Sequence, residues 1–300
     1  MAPVAAAIRS LGGDWELLDL ASIPRFASFT VGHDVGNGWS ARIGRPGGGE
    51  VSSDEIDAIW WRRPRHYTLD PAFPAWEGEL AFDQIHEGMV GVWSAMGARW
   101  VNHPWQDARA SHKLAQLAVA HRLGVELPRT LVTTSGEEAR RFLGDCSRRH
   151  VWKMLAPNPA RSVPTQMVEV GPTGGMPQVE RAPVLLQEYV EGVDLRVTVI
   201  GNEIFPAEID ARRTTSPNDF RPVFGSCRVG ATTIPDALRA FILDAMSELG
   251  LAYAAFDFRR TGEGRDVFLE VNPAGQWLFI EQRTGQPIST TLARHLCRGD

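Results

Sequence analysis

The stretch AAFDFRRTGEGRDVFLEVNP, residues 254–273, contains two apolar segments joined by the short polar turn TGEG. Side chains of a strand alternate between its two faces. Glu270 and Asn272 are therefore predicted to share one face of the second segment, and Leu269 and Val271 the other. The stretch predicts two paired strands with an apolar face and a polar end.

If the two strands pair through the short turn, three oxygen-bearing side chains are predicted to converge at that polar end. Asp257 leaves the face opposite its two phenylalanine neighbours, and strand pairing brings it towards Glu270 and Asn272. Oxygen ligands with no cysteine or histidine nearby suit Mg²⁺, which shares its coordination sphere with phosphate. Two carboxylates held together without a cation would each carry a large desolvation penalty. The alternative is a pair of solvated strand-end residues, and the spacing alone leaves both interpretations open.

Length and composition narrow the class of protein. The 300 residues are too many for one ordinary core and suit two or three packed subdomains. The content of 43% hydrophobic and 22% charged residues is typical of a soluble globular protein. The net charge of -5 argues against a general binder of nucleic acid or of membrane surfaces. Cys146, Cys227 and Cys297 are far apart, so no disulfide framework or zinc site is predicted, and a reducing cytoplasm fits best.

The first predicted subdomain, residues 1–104, has an α/β pattern. Gly36, Gly38 and Ala41 formally fit G-x-G-x-x-A, but no helix pattern follows them, and a β-turn is the better interpretation. The predicted elements are a helix near 2–11, the strand WELLDL at 15–20, a Gly-rich hairpin at 35–50, the strand AIWWRRP at 58–64 and a helix near 78–96.

The second predicted subdomain, residues 105–185, begins with one helix over 106–123. Lys113 is expected beside the apolar face of that helix. Strands RTLVT and HVWKML follow, separated by a helix whose capping box runs from Ser135 to Glu138. The apolar face of the first helix is predicted to consist of Ala110, Leu114, Leu117 and Ala118.

The third predicted subdomain, residues 186–300, contains the two strands described first. Another strand places Asp194, Arg196 and Thr198 on one face. An amphipathic helix is predicted over 235–249, closed by a glycine. The inward residues of this helix are predicted to be Leu238, Phe241, Ile242, Ala245 and Leu249.

Lys113 and Lys153 are the only lysines among 31 basic Lys and Arg residues. A lysine kept where arginine is otherwise used favours a role for a compact ammonium charge, which can follow a moving phosphate. The alternative is that both side chains extend to solvent. That alternative is weaker for Lys153, because its strand neighbours are bulky and apolar.

The segment LLQEYVEGVDLR, residues 185–196, resembles a linker that runs past a nucleotide. Its backbone can offer hydrogen bonds to an adenine edge, and Glu188 or Asp194 can accept from an amino group or from ribose hydroxyls. Polar residues at a strand end are common, so this segment alone is a weak indication.

Taken together, these motifs resemble a known family. The order of Lys113, Lys153, QEYVEG, DLRV, Asp257 and FLEVNPAG is similar to that of ATP-grasp ligases. Further phrases, such as WWRRP, VNHP and DLRVTVIGNEIFPAEID, are similar to the graspetide synthetases, the microviridin-type peptide ester and amide ligases. The resemblance extends from about Trp60 to the C-terminus.

The resemblance implies the α/β ATP-grasp fold of three subdomains, with ATP held between the central and C-terminal ones. Lys113 and Lys153 are then expected on the phosphates and Asp194 near the ribose. The residues expected around the adenine are Gln187, Glu188, Tyr189, Val190 and Glu191.

The same resemblance implies Mg²⁺ as the second cofactor beside ATP. Arg196 and one of Arg212 or Arg213 are expected to stabilise the transferring phosphoryl group or an acyl phosphate. The residues expected to bind Mg²⁺ are Asp257, Glu270 and Asn272.

The implied activity is ATP-dependent macrocyclisation of a ribosomally made precursor peptide. Aspartate or glutamate side chains of the peptide would be activated as acyl phosphates and captured by a Ser or Thr hydroxyl or a Lys amine. The expected partner is a precursor peptide with leader and core, bound by a homodimer, with no nucleic acid and no membrane. Two alternatives stay open: an intermolecular amino-acid or glutamate ligase, and a catalytically weak protein that binds nucleotide and leader peptide.

Two features depart from the family pattern. Family members usually begin with an apolar strand, whereas this sequence begins with the helix near Ala2, so the first subdomain is expected to lack its first strand. The loop over 155–165, LAPNPARSVPT, lacks the glycines usual above the phosphates. We expect Arg161 or Ser162 to compensate, or ATP turnover to be slow.

Overall fold

A computed structural model describes residues 2–144, 149–156, 165–168, 178–216 and 219–297. The chain divides into two compact units, one formed by Met1–His103 with Ser289–Asp300 and the other by Pro104–Ile288. Both helices and strands are abundant, so the predicted α/β class is confirmed. A further division of the second unit into central and C-terminal subdomains stays a prediction.

The first unit packs one long helix on an antiparallel sheet. Its elements are α1 Ala2–Ser10, β1 Phe29–Asp34, β2 Gly38–Gly44, β3 Glu50–Ser52, β4 Ala58–Trp60, α2 Ala75–Ala95 and β5 Arg99–Val101. Strands β1, β2 and β3 form the sheet, and β4 pairs in parallel with β5. Met89 and Val92 of α2 are fully buried in the same core as Ala41 and Ile43 of β2. The predicted turn at the Gly-rich segment joins β1 to β2.

The predicted strand WELLDL is wrong. Trp15 and Leu17 are exposed, and no regular strand forms there. Asp19 instead caps a short 3-10 turn at Leu20–Ser22, where its carboxylate accepts a hydrogen bond from the N–H of Ala21 at 3.1 Å. Aspartate competes for nearby backbone groups in this way, which ends an extended segment.

The second unit contains two antiparallel sheets, with strand orders β6-β9-β7-β8 and β12-β11-β10-β13-β14. Its elements up to β10 are α3 Pro104–Ala110, α4 Lys113–Arg122, β6 Thr130–Thr133, α5 Gly136–Leu143, β7 His150–Lys153, β8 Gln166–Val168, β9 Val184–Glu188 and β10 Val193–Ile200. The remaining elements are β11 Glu203–Asp210, β12 Arg228–Ala231, α6 Asp236–Leu249, β13 Tyr253–Arg260, β14 Asp266–Asn272 and α7 Leu278–Thr284. The last helix, α8 Ile288–Cys297, belongs to the first unit from Ser289 onward.

One face of the five-stranded sheet is the core of the second unit. Leu195 of β10, Phe256 and Phe258 of β13 and Val271 of β14 are buried in a single apolar cluster. Helix α6 covers this face and ends at Gly250, whose positive φ of 69° is the left-handed conformation that favours glycine. The inward residues of α6 are confirmed as Leu238, Phe241, Ile242, Ala245 and Leu249.

The single helix predicted over 106–123 is broken after Ala110, and α4 begins at Lys113. The break rotates the buried face, so Leu114 is exposed whereas Gln116 is buried. The Gln116 amide donates to the carbonyl groups of Ala110 and Val271 at 2.6 and 2.8 Å, and accepts from the Val271 N–H at 3.1 Å. This buried amide therefore fixes α4 on β14.

Gly192 is the last residue of the linker between β9 and β10, and it lies against the backbone of β13. A Cβ atom at this position would be 2.1 Å from the carbonyl oxygen of Arg260. We expect Gly192→Ala to lower the free energy of unfolding by about 1–3 kcal/mol, the usual effect of overpacking. Chemical denaturation measures it. Gly262→Ala is the matched control because no atom lies within 4 Å of its Cβ position, and equal losses for the two variants would contradict the close-approach argument.

Two further observations concern segments predicted above. Residues 157–164 of the loop predicted to cover the phosphates, including Arg161 and Ser162, lie outside the described residues. Among the helices that the structure describes, none combines the length and the apolar character that crossing a membrane requires.

Candidate functional site

The polar face of the five-stranded sheet carries charged side chains on three neighbouring strands. Cross-strand pairs place Arg196 of β10 opposite Asp257 of β13, and Asp194 opposite Arg259. Asp257 is in turn opposite Glu270 of β14. The predicted face of β10 and the predicted facing of Asp257 are thereby confirmed. Side chains directly opposite each other in a sheet interact, so β10 and β13 share two ion pairs. Glu270 faces the like charge of Asp257 and takes its cationic partners, Lys113 and Arg221, from outside the sheet.

A β-bulge shapes the end of this array. Phe258 pairs with Phe268 and Asp257 with Glu270, so Leu269 is an extra residue on β14. Val271 is buried in the apolar core as predicted, but Leu269 lines the polar cleft, and its predicted facing is wrong. The bulge is the physical reason, because an extra residue interrupts the regular alternation.

Asn272 lies beside the ion pairs, opposite Ala255 of β13. Its Oδ1 accepts a hydrogen bond from the N–H of Ala274 at 3.0 Å, which closes the turn after β14. The structure thus places Asn272 on the same strand face as Glu270, with its amide engaged in a local Asx turn.

Arg196 and Asp257 form a bidentate pair. The Arg196 Nε and Nη2 atoms donate to the two carboxylate oxygens at 2.7 and 2.6 Å. The side chains are 9% and 13% exposed, and the guanidinium also lies over the rings of Phe220 and Phe279. Burial alone lowers the pKa of Arg196, but the carboxylate of Asp257 outweighs it and raises the pKa. Arg196 is therefore a fixed positive charge.

Glu270 is held between cations. Lys113, the first residue of α4, donates to Oε2, and Arg221 donates to Oε1 at 3.3 Å. Burial raises the pKa of Glu270, but the charges of Lys113, Lys153 and Arg221 outweigh burial and lower it to about 2. The carboxylate is therefore ionised at neutral pH, although it is well shielded from solvent.

Lys153 reaches the same cleft from β7 of the four-stranded sheet. Its Nζ donates to Oε1 of Gln187 at 2.9 Å, and the Gln187 amide donates to Oγ1 of Thr130 at 3.0 Å. Burial lowers the pKa of Lys153 to about 8, and the nearby Glu270 opposes part of this effect. The side chain of Lys153 points into the cleft and does not extend to solvent. The alternative that this lysine is an ordinary solvated residue is therefore wrong.

The linker predicted to lie near adenine borders the cleft. The ring of Tyr189 lies 4.6 Å from the guanidinium carbon of Arg149 and 5.8 Å from that of Arg259. Arg149 also pairs with Glu191 at 2.7 Å. The linker residues that line the cleft are Gln187, Glu188, Tyr189 and Val190.

Asp194 lines the same cleft as this linker. It accepts a hydrogen bond from Nη1 of Arg259 at 3.0 Å. Burial raises the pKa of Asp194 to about 6, although Arg259 opposes the increase. Near neutral pH a small fraction of this carboxyl group is protonated.

Arg212 and Arg213 are the two other arginines that were expected to stabilise the phosphoryl group, and neither lines the cleft described above. Arg212 pairs with Asp210 at 2.8 Å and lines a neighbouring groove together with Glu191 and Arg265. Arg213 is exposed. Neither is among the described residues that line the cleft of Lys153 and Glu270, and their catalytic role stays a prediction.

Three charged residues of the cleft were missed from the sequence: Asp219, Arg221 and Arg259. Arg259 could have been found, because it lies two positions after Asp257 on the same strand and so shares its face. Asp219 and Arg221 lie in an irregular segment and a short 3-10 turn, Arg221–Ser226, where no periodicity marks a facing.

The oxygen atoms at the strand ends fit a hard cation. Asp257 and Glu270 are direct neighbours, and Asn272 follows on the same face. Their donors are carboxylate and amide oxygens, which Mg²⁺ prefers. Within the described ranges no group of three His, Cys, Asp or Glu side chains forms a metal cluster, so a cation here would need the amide or a phosphate to complete its coordination.

The fold that forms this cleft is similar to that of solved structures of one class of enzymes. The chain is similar to a RiPP-associated ATP-grasp ligase of Chryseobacterium gregarium in complex with ADP and a leader and core peptide, with a TM-score of 0.84, 22% identity and coverage of 99% of this chain and 92% of that one. It is similar to the macrocyclase MdnB of Microcystis aeruginosa MRC, with a TM-score of 0.81, 25% identity and coverage of 99% and 95%. It is also similar to the ATP-grasp ligase PsnB complexed with a minimal precursor, Mg and ADP, with a TM-score of 0.76, 22% identity and coverage of 98% and 92%.

The chain therefore has the ATP-grasp fold, as predicted from the sequence. The resemblance to the graspetide synthetases, the peptide-macrocyclising branch of these ligases, is confirmed at the level of the fold. Among curated proteins, the chain is 25% identical over 256 residues to the ribosomal protein bS6--L-glutamate ligase of Salmonella schwarzengrund (strain CVM19633), covering 79% of each. No protein-family model matches the chain.

Proposed function

We propose that this protein is an ATP-dependent ligase that macrocyclises a ribosomally made precursor peptide. The observation that carries the proposal is the cleft lined by Lys153, Asp257 and Glu270. The two carboxylates are also paired with Arg196 and Lys113, respectively. Such an arrangement suits a triphosphate that is bound together with a divalent cation. The similar ligases solved with ADP, Mg or precursor peptides support the same interpretation.

The nucleotide would be held by residues of both sheets. Lys153 of the four-stranded sheet and Lys113 of α4 would contact phosphates, and Asp194 would accept from ribose hydroxyls. The backbone of the linker beside Tyr189 would face the adenine. Mg²⁺, held by Asp257, Glu270 and Asn272, would supply charge neutralisation of the phosphates when bound.

The reaction requires no nucleophile from the enzyme. A side-chain carboxylate of the peptide would attack the γ-phosphate, and ADP would leave. Fixed cations beside the cleft carboxylates, such as Arg196, would stabilise the negative charge of the transition state because they need no reorganisation. A Ser or Thr hydroxyl or a Lys amine of the peptide would then displace phosphate from the acyl phosphate.

Mass spectrometry of a reaction with ATP and Mg²⁺ tests the proposal. The substrate is a peptide encoded beside this gene whose C-terminus is rich in Thr or Ser and in Asp or Glu. We expect a product lighter by one water for each ring, with ADP released in equal amount. An unchanged peptide mass, with enzyme that binds nucleotide, would refute macrocyclisation.

A second candidate is an intermolecular ligase that joins an amino acid to a carboxylate. The curated relatives named as glutamate ligases favour it. The same assay separates the two activities, because addition of glutamate increases the mass of the acceptor. Binding of nucleotide and peptide without ADP release would instead indicate a leader-binding protein without catalysis.

The pKa of Lys153 makes nucleotide affinity depend on pH. In the free protein it is about 8, and a bound phosphate raises it because the charged form is favoured. Binding above pH 8 therefore takes up a proton, and the affinity for ADP should fall as pH rises, by up to about tenfold per unit.

Calorimetry in buffers of different ionisation enthalpy measures this proton uptake. Lys153→Arg is the control, since a guanidinium stays charged throughout this range. An affinity for ADP that does not change between pH 8 and pH 9.5 in the unaltered protein would contradict the assignment of Lys153 to the phosphates.

A homodimer stays a prediction, which light scattering of the purified protein would check.

A further inference from the structure

The side chain of Gln187 joins the two strands on either side of its own. β9 lies between β6 and β7 in the four-stranded sheet, and Gln187 is directly opposite Thr130 on one side and Val151 on the other. Lys153 is two residues beyond Val151, so it shares that face and lies at the diagonal position that long side chains reach across a sheet. The amide of Gln187, which is 1% exposed, therefore contacts a hydroxyl on one strand and an ammonium group on the other.

The hydroxyl of Thr130 decides which end of this amide faces Lys153. Thr130 Oγ1 donates its single hydrogen to the carbonyl oxygen of Pro128 at 2.9 Å, so only its lone pairs remain for Gln187. The amide must then present its NH₂ group to Thr130, at 3.0 Å, and its oxygen to Lys153, at 2.9 Å. In the opposite orientation the NH₂ group would face an ammonium group, which has no lone pair with which to accept.

The surroundings of Lys153 make it depend on this oxygen. Its cross-strand partner is the buried apolar residue Leu185, and a buried ammonium group without an acceptor carries a large desolvation cost. Glu270 stabilises the charge of Lys153, and the Gln187 oxygen fixes the direction of one N–H group. An ammonium group has further N–H donors, and these can then be directed at a phosphate.

We propose that Thr130 is a positioning residue for nucleotide binding, which acts through the amide of Gln187 and holds the ammonium group of Lys153 towards the phosphates. The assignment rests on the proposed function. Thr130 is not among the described residues that line the cleft, so its effect reaches the nucleotide through Lys153. Without the hydroxyl, the amide can rotate and present its NH₂ group to Lys153, which weakens the contact of the ammonium group with a phosphate.

A double-mutant cycle with ADP tests the assignment. Thr130→Val keeps the shape of the side chain but removes the hydroxyl, and it should weaken the binding of Mg²⁺·ADP about tenfold, the scale of one hydrogen bond to a charged group. In the background of Lys153→Met the same substitution should weaken binding by less than about twofold, because its effect requires the ammonium group. Thr130→Ser keeps the hydroxyl and should bind within about threefold of the unaltered protein. Displacement of a fluorescent ADP analogue measures all these dissociation constants.

Thr133→Val is the matched control on the same strand. The Thr133 hydroxyl accepts from the N–H of Ser135 at 2.9 Å, and the odd spacing from Thr130 places Thr133 on the other face of β6. Its affinity for Mg²⁺·ADP should stay within about twofold of the unaltered protein. An equal loss for Thr130→Val with and without Lys153 would overturn the assignment, and so would unchanged binding by Thr130→Val or a loss as large for Thr130→Ser.

Failure of the assignment and failure of the proposed function give different results. If the unaltered protein binds Mg²⁺·ADP but closes no ring in the precursor peptide, macrocyclisation is refuted, and the role of Thr130 in nucleotide binding is decided by the cycle alone. If the unaltered protein binds no ADP, the nucleotide site and the role of Thr130 are both wrong.

Discussion

Replacement of Glu270 by glutamine is expected to reduce the rate of ADP release in the presence of peptide by at least about 10²-fold. The change removes one charge from the proposed Mg²⁺ site and leaves Lys113 and Arg221 without their carboxylate. The pKa of Lys153 should fall further, because Glu270 is the charge that raises it. A steady-state assay of ADP release measures the rate, and calorimetry at pH 7 measures the accompanying loss of Mg²⁺ dependence in nucleotide binding.

A control on the protein surface separates this effect from general loss of charge. Glu137 lies on α5, where it is highly exposed and pairs with Arg141. Glu137→Gln should leave the rate of ADP release within about twofold, since exposed ion pairs contribute little. If Glu270→Gln were as active as Glu137→Gln, the cleft would not be the catalytic site, and a binding function without catalysis would be favoured.

Replacement of Arg196 by methionine is expected to lower the free energy of unfolding by about 3–5 kcal/mol, the range for a buried pair that loses one partner. Asp257 would remain only 13% exposed and without its bidentate donor. The rings of Phe220 and Phe279 would lose their contact with the guanidinium as well. Urea denaturation followed by tryptophan fluorescence measures the change.

The double variant Arg196→Met with Asp257→Leu should recover most of that stability. A buried ion pair replaced by apolar residues of similar size is often as stable as the original, because no charge remains to be desolvated. Arg239→Met, at an exposed position, should change the free energy of unfolding by less than about 0.5 kcal/mol. A loss for Arg196→Met no larger than that of Arg239→Met would contradict the burial argument.

Much of the fold and part of the site follow from strand alternation. The period of two in β10 and β13 predicts which side chains meet, because each strand has one face in an apolar core and the register is thereby fixed. Asp194, Arg196 and Asp257 were placed on the polar face in this way, and the pairing in the structure agrees.

Other features depend on contacts that no local pattern contains. The break between α3 and α4 occurs in a sequence with good helical periodicity, and the buried Gln116 amide on β14 determines the orientation of α4. The bulge at Leu269 likewise results from the pairing of two strands. Arg221 was missed because its place in the cleft depends on the buried Asp219 and on a cluster of aromatic rings.

The ion pairs of the charged residues on β10, β13 and β14 also affect how the cleft responds to salt. Lys113, Arg196, Arg221 and Arg259 each contact a carboxylate in the structure. When a polyanion enters such a cleft, each new contact replaces a contact with a carboxylate of the protein, so few mobile counterions are released. Affinity for nucleotide should therefore vary less steeply with ionic strength than it does for proteins whose basic grooves hold loosely bound anions from solution.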